Sequence, residues 1–264
     1  MGCLDPRTIE PVPVSVAAAE PLLIAQGLTC RYGRVTALDG VDIALRPGEV
    51  TALLGDNGAG KSTLISLLSG VRQPSGGTIT MDGVPCRFDS PADARGVGIA
   101  TVFQTLALVE DRSIAENLFL GREPVRFGFL LDRRRMQREA SAVFERLGIA
   151  LPPMGTAVRH LSGGQRQAIA VARTVLGGAR VIILDEPTAA LGVRETARVL
   201  DLIARLKASG AAVLLVSHNM ENVFQVADRA VVLRLGRKVA DMALVETSRT
   251  QLVASIVGGT EDIA

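Results

Sequence analysis

Short runs of apolar, β-prone residues recur along the chain, and stretches with helical spacing separate the later ones. The runs are LLIAQGLTCRY, VTALDGVDIAL, EVTALLG, GTITMDG, GIATVF, RVIILDEP, AAVLLVSH and AVVLRLG. The spacing predicts helices over 61–69, 132–147, 163–175, 193–208 and 246–257. Met136, Ala140, Val143 and Leu147 share one side of the second, and Val199, Leu200, Leu202, Ile203 and Leu206 form the apolar stripe of the fourth. Strands alternating with helices predict an α/β fold with a partly parallel sheet. The strands ahead of Gly55 come without helices and predict an antiparallel β layer. Between 105 and 167 no convincing strand stands out, so this stretch reads as a helical insertion in the α/β core.

Composition narrows the picture. Hydrophobic residues make up 48% of the 264, enough for a sizeable core. The longest charge-free stretches, 96–109 and 208–220, fall short of the roughly 20 residues that cross a bilayer. The chain is therefore not expected to span a membrane by itself, though it can rest against one. A net charge of +2 argues against a dedicated nucleic-acid binder, and DRRRMQR at 132–138 reads as a solvated helix face. Cys3, Cys30 and Cys86 have no metal-like spacing and imply reduced thiols in the cytosol. MGCLDPRT has Pro6 where a myristoylation signal needs Ser or Thr, and the stretch after it, with no charged region leading into an apolar core, reads as a poor signal peptide. Prolines at 6, 11, 13 and 21 predict a flexible arm over 1–20.

The chemistry gathers in a few motifs. GDNGAGKS fits G-x-x-x-x-G-K-[ST], follows an apolar strand and opens a helix. Such a loop, here Gly55, Asp56, Asn57, Gly58, Ala59, Gly60, Lys61, Ser62 and Thr63, turns backbone N–H groups and a helix N-terminus toward phosphates. Lys61 would reach the β- and γ-phosphates and Ser62 would ligate Mg²⁺. VIILDEP ends a buried strand with two carboxylates: Asp185 for Mg²⁺ through water, Glu186 to polarise the attacking water. His218 comes one strand later, where it could touch the γ-phosphate and hold Glu186 in place. Gln104 lies at the border of the insertion, from where its amide could reach Mg²⁺ or the water. Tyr32 is the only tyrosine; it can stack on adenine, although core packing is the commoner fate of such a residue. A second glycine pair follows a serine in LSGGQRQ, about a hundred residues after the first loop.

In this order, RYG, GDNGAGKST, VFQ, LSGGQRQ, ILDEP, AALG and VSHN resemble the ATP-binding cassette (ABC) ATPases, over roughly residues 22–240. The resemblance implies a P-loop NTPase core over 21–104 and 168–264 with a helical subdomain at about 105–167, all one domain. It implies ATP and Mg²⁺, and it implies that Ser162, Gly163, Gly164 and Gln165 cap the γ-phosphate held by a partner's P-loop. Two chains would then lie head to tail around two ATP.

TVFQTLALVEDRSIAENLFLGRE, DEPTAALGVRET and VSHNM look like the monosaccharide importers of the ribose, xylose and fructose type. Gly192 stands where most cassettes have Asp, which removes a carboxylate expected near the dimer seam. Many such sugar ATPases carry two cassettes in one chain; one cassette here implies a homodimer. The implied partners are transmembrane permease subunits and, indirectly, a substrate-binding protein, at the cytoplasmic face of the inner membrane. Residues after Gln104, Leu108 and Val109 among them, would line the groove that receives a permease helix. Branched-chain amino-acid or nucleoside import and a non-transport ATPase stay open; intact Lys61, Asp185, Glu186 and His218 argue against a non-hydrolysing regulator.

Overall fold

A computed structural model of the chain describes residues 20–258. The arm expected over 1–20 lies, but for its last residue, outside the described residues. The chain opens with an antiparallel hairpin, β1 (Leu23–Tyr32) and β2 (Val35–Leu45). β3 (Val50–Leu54) leads into α1 (Lys61–Leu68). β4 (Gly76–Met81) and β5 (Val84–Cys86) form a second hairpin, closed by Asp82-Gly83 with positive φ at both, as a tight turn between twisted strands demands. α2 (Pro91–Gly96) starts at a Ser90 cap with proline in its first turn, and β6 (Ile99–Val102) follows.

The insertion comes next, with α3 (Ile114–Phe119), a short hairpin of β7 (Val125–Arg126) and β8 (Leu130–Leu131), and α4 (Arg133–Arg146). α5 (Gly163–Leu176) returns the chain to β9 (Val181–Asp185), α6 (Val193–Ala208) and β10 (Ala212–Val216). α7 (Met220–Val226), β11 (Arg229–Arg234), β12 (Arg237–Ala243) and α8 (Arg249–Val257) complete the fold.

Two sheets share one core. The first has the order β2-β1-β4-β5 and is antiparallel throughout. The second has the order β12-β11-β3-β10-β9-β6 and is parallel except at the β11–β12 edge. β3 and β10 are buried at every position, as strands covered on both faces must be. Alternate residues split between the faces. Ile182, Leu184, Val213 and Leu215 meet the helices α3 to α6. Val181, Ile183, Leu214 and Val216 meet α1 and the antiparallel sheet. The register sets the site: Val216 of β10 lies opposite Leu53 of β3 on one side and Asp185 of β9 on the other. The C-terminal ends of three neighbouring strands therefore finish level.

Several expectations need correction. β3 precedes Gly55 yet joins the parallel sheet, because its unbroken run VTALL has no polar face to offer an outer layer. The insertion does contain strands: β7 and β8 were hidden because each has two residues and all four are exposed. β5 and β12 were also unforeseen; β12 is an edge strand in which no position is fully buried. The last helix starts at Arg249, behind a Ser248 cap, after a 3₁₀ turn over Leu244–Glu246. The 132–138 arginines do sit on the exposed face of α4, opposite Met136 and Ala140.

Candidate active site

The loop after β3 is shaped by backbone approach. Gly55 (φ 141°) lies so close to the Leu233 carbonyl oxygen that a Cβ would fall on it. A Cβ at Gly60 (φ 107°) would stand 2.7 Å from Leu38 Cδ2 and 2.9 Å from the Ala37 oxygen. Gly60 then begins α1 with no side chain capping it. First-turn N–H groups have no intrahelical acceptor, so those of Lys61, Ser62 and Thr63 are free for an anion. The Lys61 ammonium folds back and donates to the carbonyls of Gly55 (2.6 Å) and Asp56 (3.0 Å).

Level with this loop, β9 presents two carboxylates. Burial raises the Asp185 carboxyl above the ordinary carboxylate range, the Glu186 charge adds to this, and nearby Lys61 opposes it. Glu186 has a left-handed backbone (φ 51°), and its N–H donates to the Val216 carbonyl of β10 (3.0 Å). Its side chain is only 18% exposed. His218 Nδ1 approaches Glu186 Oε2 at 2.8 Å but without hydrogen-bond alignment, so that buried oxygen has no hydrogen bond. Such an oxygen is available to a water or a ligand. Ser217 Oγ accepts from Asn219 N–H, and Asn219 caps α7. From α7, Asn222 donates to Thr188 Oγ1 (3.1 Å), tying the loop after Glu186 to the element after His218.

Loop residues 55–63, Gln104, Asp185, Glu186 and His218 line one cleft of about 900 Å³. Ala37 and Ala189 also line it; being small and apolar, they gave no signal in the sequence. The glycines, the uncapped helix and Lys61 suit a polyphosphate. Ser62, Gln104 and Asp185 offer hydroxyl, amide and carboxylate oxygens, the hard donors Mg²⁺ takes. Among the described residues no group of three or more His, Cys, Asp or Glu could hold a metal alone, so a cation here must draw further oxygens from phosphates and water.

Ser162, Gly163, Gly164 and Gln165 do not line this cleft. They start α5 in a capping box: Ser162 N–H donates to Gln165 Oε1 (3.0 Å) and Gln165 N–H to Ser162 Oγ (3.4 Å). A Cβ on Gly163 would stand 2.6 Å from Leu191 Cδ2, and one on Gly164 3.2 Å from Glu195 Cβ. Gly192 begins α6, where the Glu195 carboxylate accepts from its N–H (3.3 Å). Tyr32 lies outside the cleft as well. It is 43% exposed rather than core, with the Arg72 guanidinium 4.2 Å over its ring.

A second cavity, of about 560 Å³, lies between β6 and the insertion. Arg95, Arg122 and Arg173 converge on it, and none has an ion-pair partner among the described residues. Burial, then mutual repulsion, lowers the pKa of Arg122 and Arg173. Arg173 donates to the Leu106 and Ala107 carbonyls, fixing the start of the insertion. Sequence reasoning missed this trio because its members lie far apart along the chain. Of the two residues expected in the groove, Leu108 is partly buried against the core and Val109 is exposed; exposed Phe103 and Leu120 flank the arginines.

A phosphate loop on a central parallel strand, with two carboxylates at the end of a strand two places away, defines a P-loop nucleoside triphosphatase. The sequence profile of the ABC transporter family matches residues 38–189. The chain belongs to the ABC transporter family, as one of its ATP-binding and ATP-hydrolysing cassettes. It is 48% identical over 251 residues to the fructose import ATP-binding protein FrcA of Rhizobium meliloti, covering 92% of this chain and 96% of that protein. It is 47% identical over 238 residues to the ribose import ATP-binding protein RbsA 1 of Rubrobacter xylanophilus, covering 90% of this chain but 47% of that longer protein. The fold is similar to that of MJ1267, an ATP-binding cassette of an ABC transporter, with a TM-score of 0.80 and 24% identity over 91% of this chain and 98% of that one. No helix among the described residues is long and apolar enough to cross a membrane.

Proposed function

We propose that this chain is the ATPase subunit of a monosaccharide importer, working as a head-to-tail dimer at the cytoplasmic face of the membrane. The observation that carries the catalytic part is the buried, unsatisfied Glu186 oxygen on the cleft that holds the phosphate loop. ATP enters with its phosphates on the 55–63 loop and the first turn of α1. Lys61 exchanges its two carbonyl partners for phosphate oxygens. Ser62, Asp185 and Gln104 would hold Mg²⁺, which supplies charge neutralisation at the phosphates when bound. Glu186 accepts a proton from the attacking water, and exposed His218 holds that carboxylate and reaches the γ-phosphate. Tyr32 stacks on adenine once Arg72 yields.

Ser162, Gly163, Gly164 and Gln165 serve the partner's ATP. Their absence from the cleft of their own chain supports this reading. The whole chain acts as one cassette, with 105–167 as its helical subdomain. The arginine cavity receives an acidic segment of the permease, and a substrate-binding protein takes part only through that permease. Fructose as the substrate class of the relative matched along almost its whole length supports a sugar as cargo.

Glu186→Gln tests the catalytic reading: ATP should still bind, while turnover falls by about two orders of magnitude. Turnover at the normal rate would remove Glu186 from its role. Arg95→Glu tests the docking reading: sugar uptake in cells should fail while ATPase of the purified subunit stays unchanged.

A further inference from the structure

The β7–β8 hairpin carries a conspicuous amount of exposed apolar surface. Phe127 and Phe129 are each 77% exposed, and Val125, Leu130 and Leu131 are exposed beside them. The chain has only seven phenylalanines, and two stand at this tip. The turn makes the placement harder to dismiss as chance. Phe127 (φ 52°) and Gly128 (φ 81°) both take the left-handed conformation, and Phe129 N–H donates to the Arg126 carbonyl (3.3 Å). Asn or Gly stabilises such a position, whereas a bulky aromatic there is strained. Local stability is thus given up to hold an aromatic ring outward.

The surroundings are basic. Between 122 and 139 the chain has six arginines against three carboxylates. The Arg126 guanidinium lies 5.3 Å over the Phe127 ring. α4 begins two residues after β8, and its Arg134 and Arg138 share one exposed face. Neither they nor Arg126 has an ion-pair partner among the described residues, while Arg135 is paired with Glu139 and Asp132 caps the helix. Aromatic and leucine side chains projecting from a turn, flanked by unpaired arginines, match the boundary between headgroups and acyl chains of an anionic bilayer.

We propose that this hairpin is a membrane-contact element. Phe127 and Phe129 enter the interfacial layer of an anionic lipid surface, and Arg126, Arg134 and Arg138 bind lipid phosphates. The proposed function places the chain at a membrane through a permease; this contact is made with lipid itself and does not depend on that permease.

Flotation of the full chain with protein-free vesicles tests it, comparing phosphatidylcholine alone with phosphatidylcholine containing phosphatidylglycerol. Wild type should float with the anionic vesicles and be released by salt. Phe127→Ala with Phe129→Ala should weaken binding by at least about tenfold. Each of Arg126→Ala, Arg134→Ala and Arg138→Ala should weaken it by about fivefold. Basal ATPase of all these variants should equal wild type, which shows them folded and keeps the outcome separate from the catalytic reading. The chain has no tryptophan, so Phe127→Trp reports the tip alone. Its emission should shift blue on anionic vesicles and be quenched by brominated acyl chains. No binding of wild type, equal binding to neutral and anionic vesicles, or an unshifted and unquenched Phe127→Trp would each overturn the proposal; dependence on a membrane protein partner would show as the first of these.

Discussion

At the start of α1 the chain leaves its helix uncapped, whereas at the start of α5 it closes the helix with its own side chains. Both starts carry a glycine pattern that suits a phosphate. In the first, the glycines have positive φ, and Gly55 and Gly60 sit against main-chain oxygens of β11 and β2, so the loop holds a fixed concave shape. In the second, the glycines have helical geometry and admit Leu191 and Glu195 of the neighbouring segment. A glycine-rich helix start can therefore form a fixed seat for its own chain's ligand, or pack closely against a neighbouring segment while the Gly163 and Gly164 N–H groups keep no intrahelical acceptor.

The sharpest break between the two is functional. Mix Lys61→Ala chains with Ser162→Arg chains and isolate the heterodimer. If the second start serves the partner's nucleotide, one site of this dimer is intact and the other has both defects. Pairing the double mutant with wild type instead leaves one defect in each site. ATP hydrolysis, or ATP-driven closure, should survive in the first pairing and vanish in the second; the reverse pattern overturns the trans assignment.

Glycine replacement separates the two starts next. Gly55→Ala should destabilise the protein by about 2–5 kcal/mol and abolish ATP binding, because the clash is with backbone. Gly163→Ala meets only the end of the Leu191 side chain and should cost about 1–3 kcal/mol with the cleft of the same chain still binding ATP. Urea titration with nucleotide binding in parallel reads both. Ser162→Ala removes one half of a capping box and should cost about 1 kcal/mol, whereas Gly60 has no cap to lose.

The smallest effect concerns pH. The raised Asp185 carboxyl keeps its proton to higher pH in the folded chain than in the unfolded one. Its stabilising share is complete below the unfolded value and is lost as pH rises through the raised one. Asp185→Asn has no proton to lose, so its advantage in Tm over wild type should grow from acid to neutral pH, to about a degree or two. An advantage that stays constant with pH would remove the assigned shift. ATP binding with Mg²⁺ should weaken at the same time.

The legible parts of this fold were those written in local chemistry. The stripe from Val199 to Leu206 predicts α6 over the residues it occupies, and GDNGAGKS predicts a loop between β3 and α1. The meeting of Asp185, Glu186 and His218 with that loop was foreseen from motif order; its cause, the level ends of β3, β9 and β10, is a matter of register that no local pattern contains. The exposure of Tyr32 under Arg72 and the gathering of Arg95, Arg122 and Arg173 were illegible for the same reason. The hairpin was missed on different grounds: its strands are two residues each, too short to show a period, and only three-dimensional placement shows their apolar side chains outside.

The ammonium of Lys61, bonded to the Gly55 and Asp56 carbonyls, cross-links the loop to itself. Nucleotide uptake is then an exchange: the lysine gives up two charge-assisted bonds before it makes new ones. Calorimetry should register less heat on ATP binding than the final contacts suggest, since the loop begins from a bonded state. The same bonds restrain the free loop, so amide hydrogen exchange at residues 55–59 should quicken in Lys61→Ala even with no nucleotide in solution.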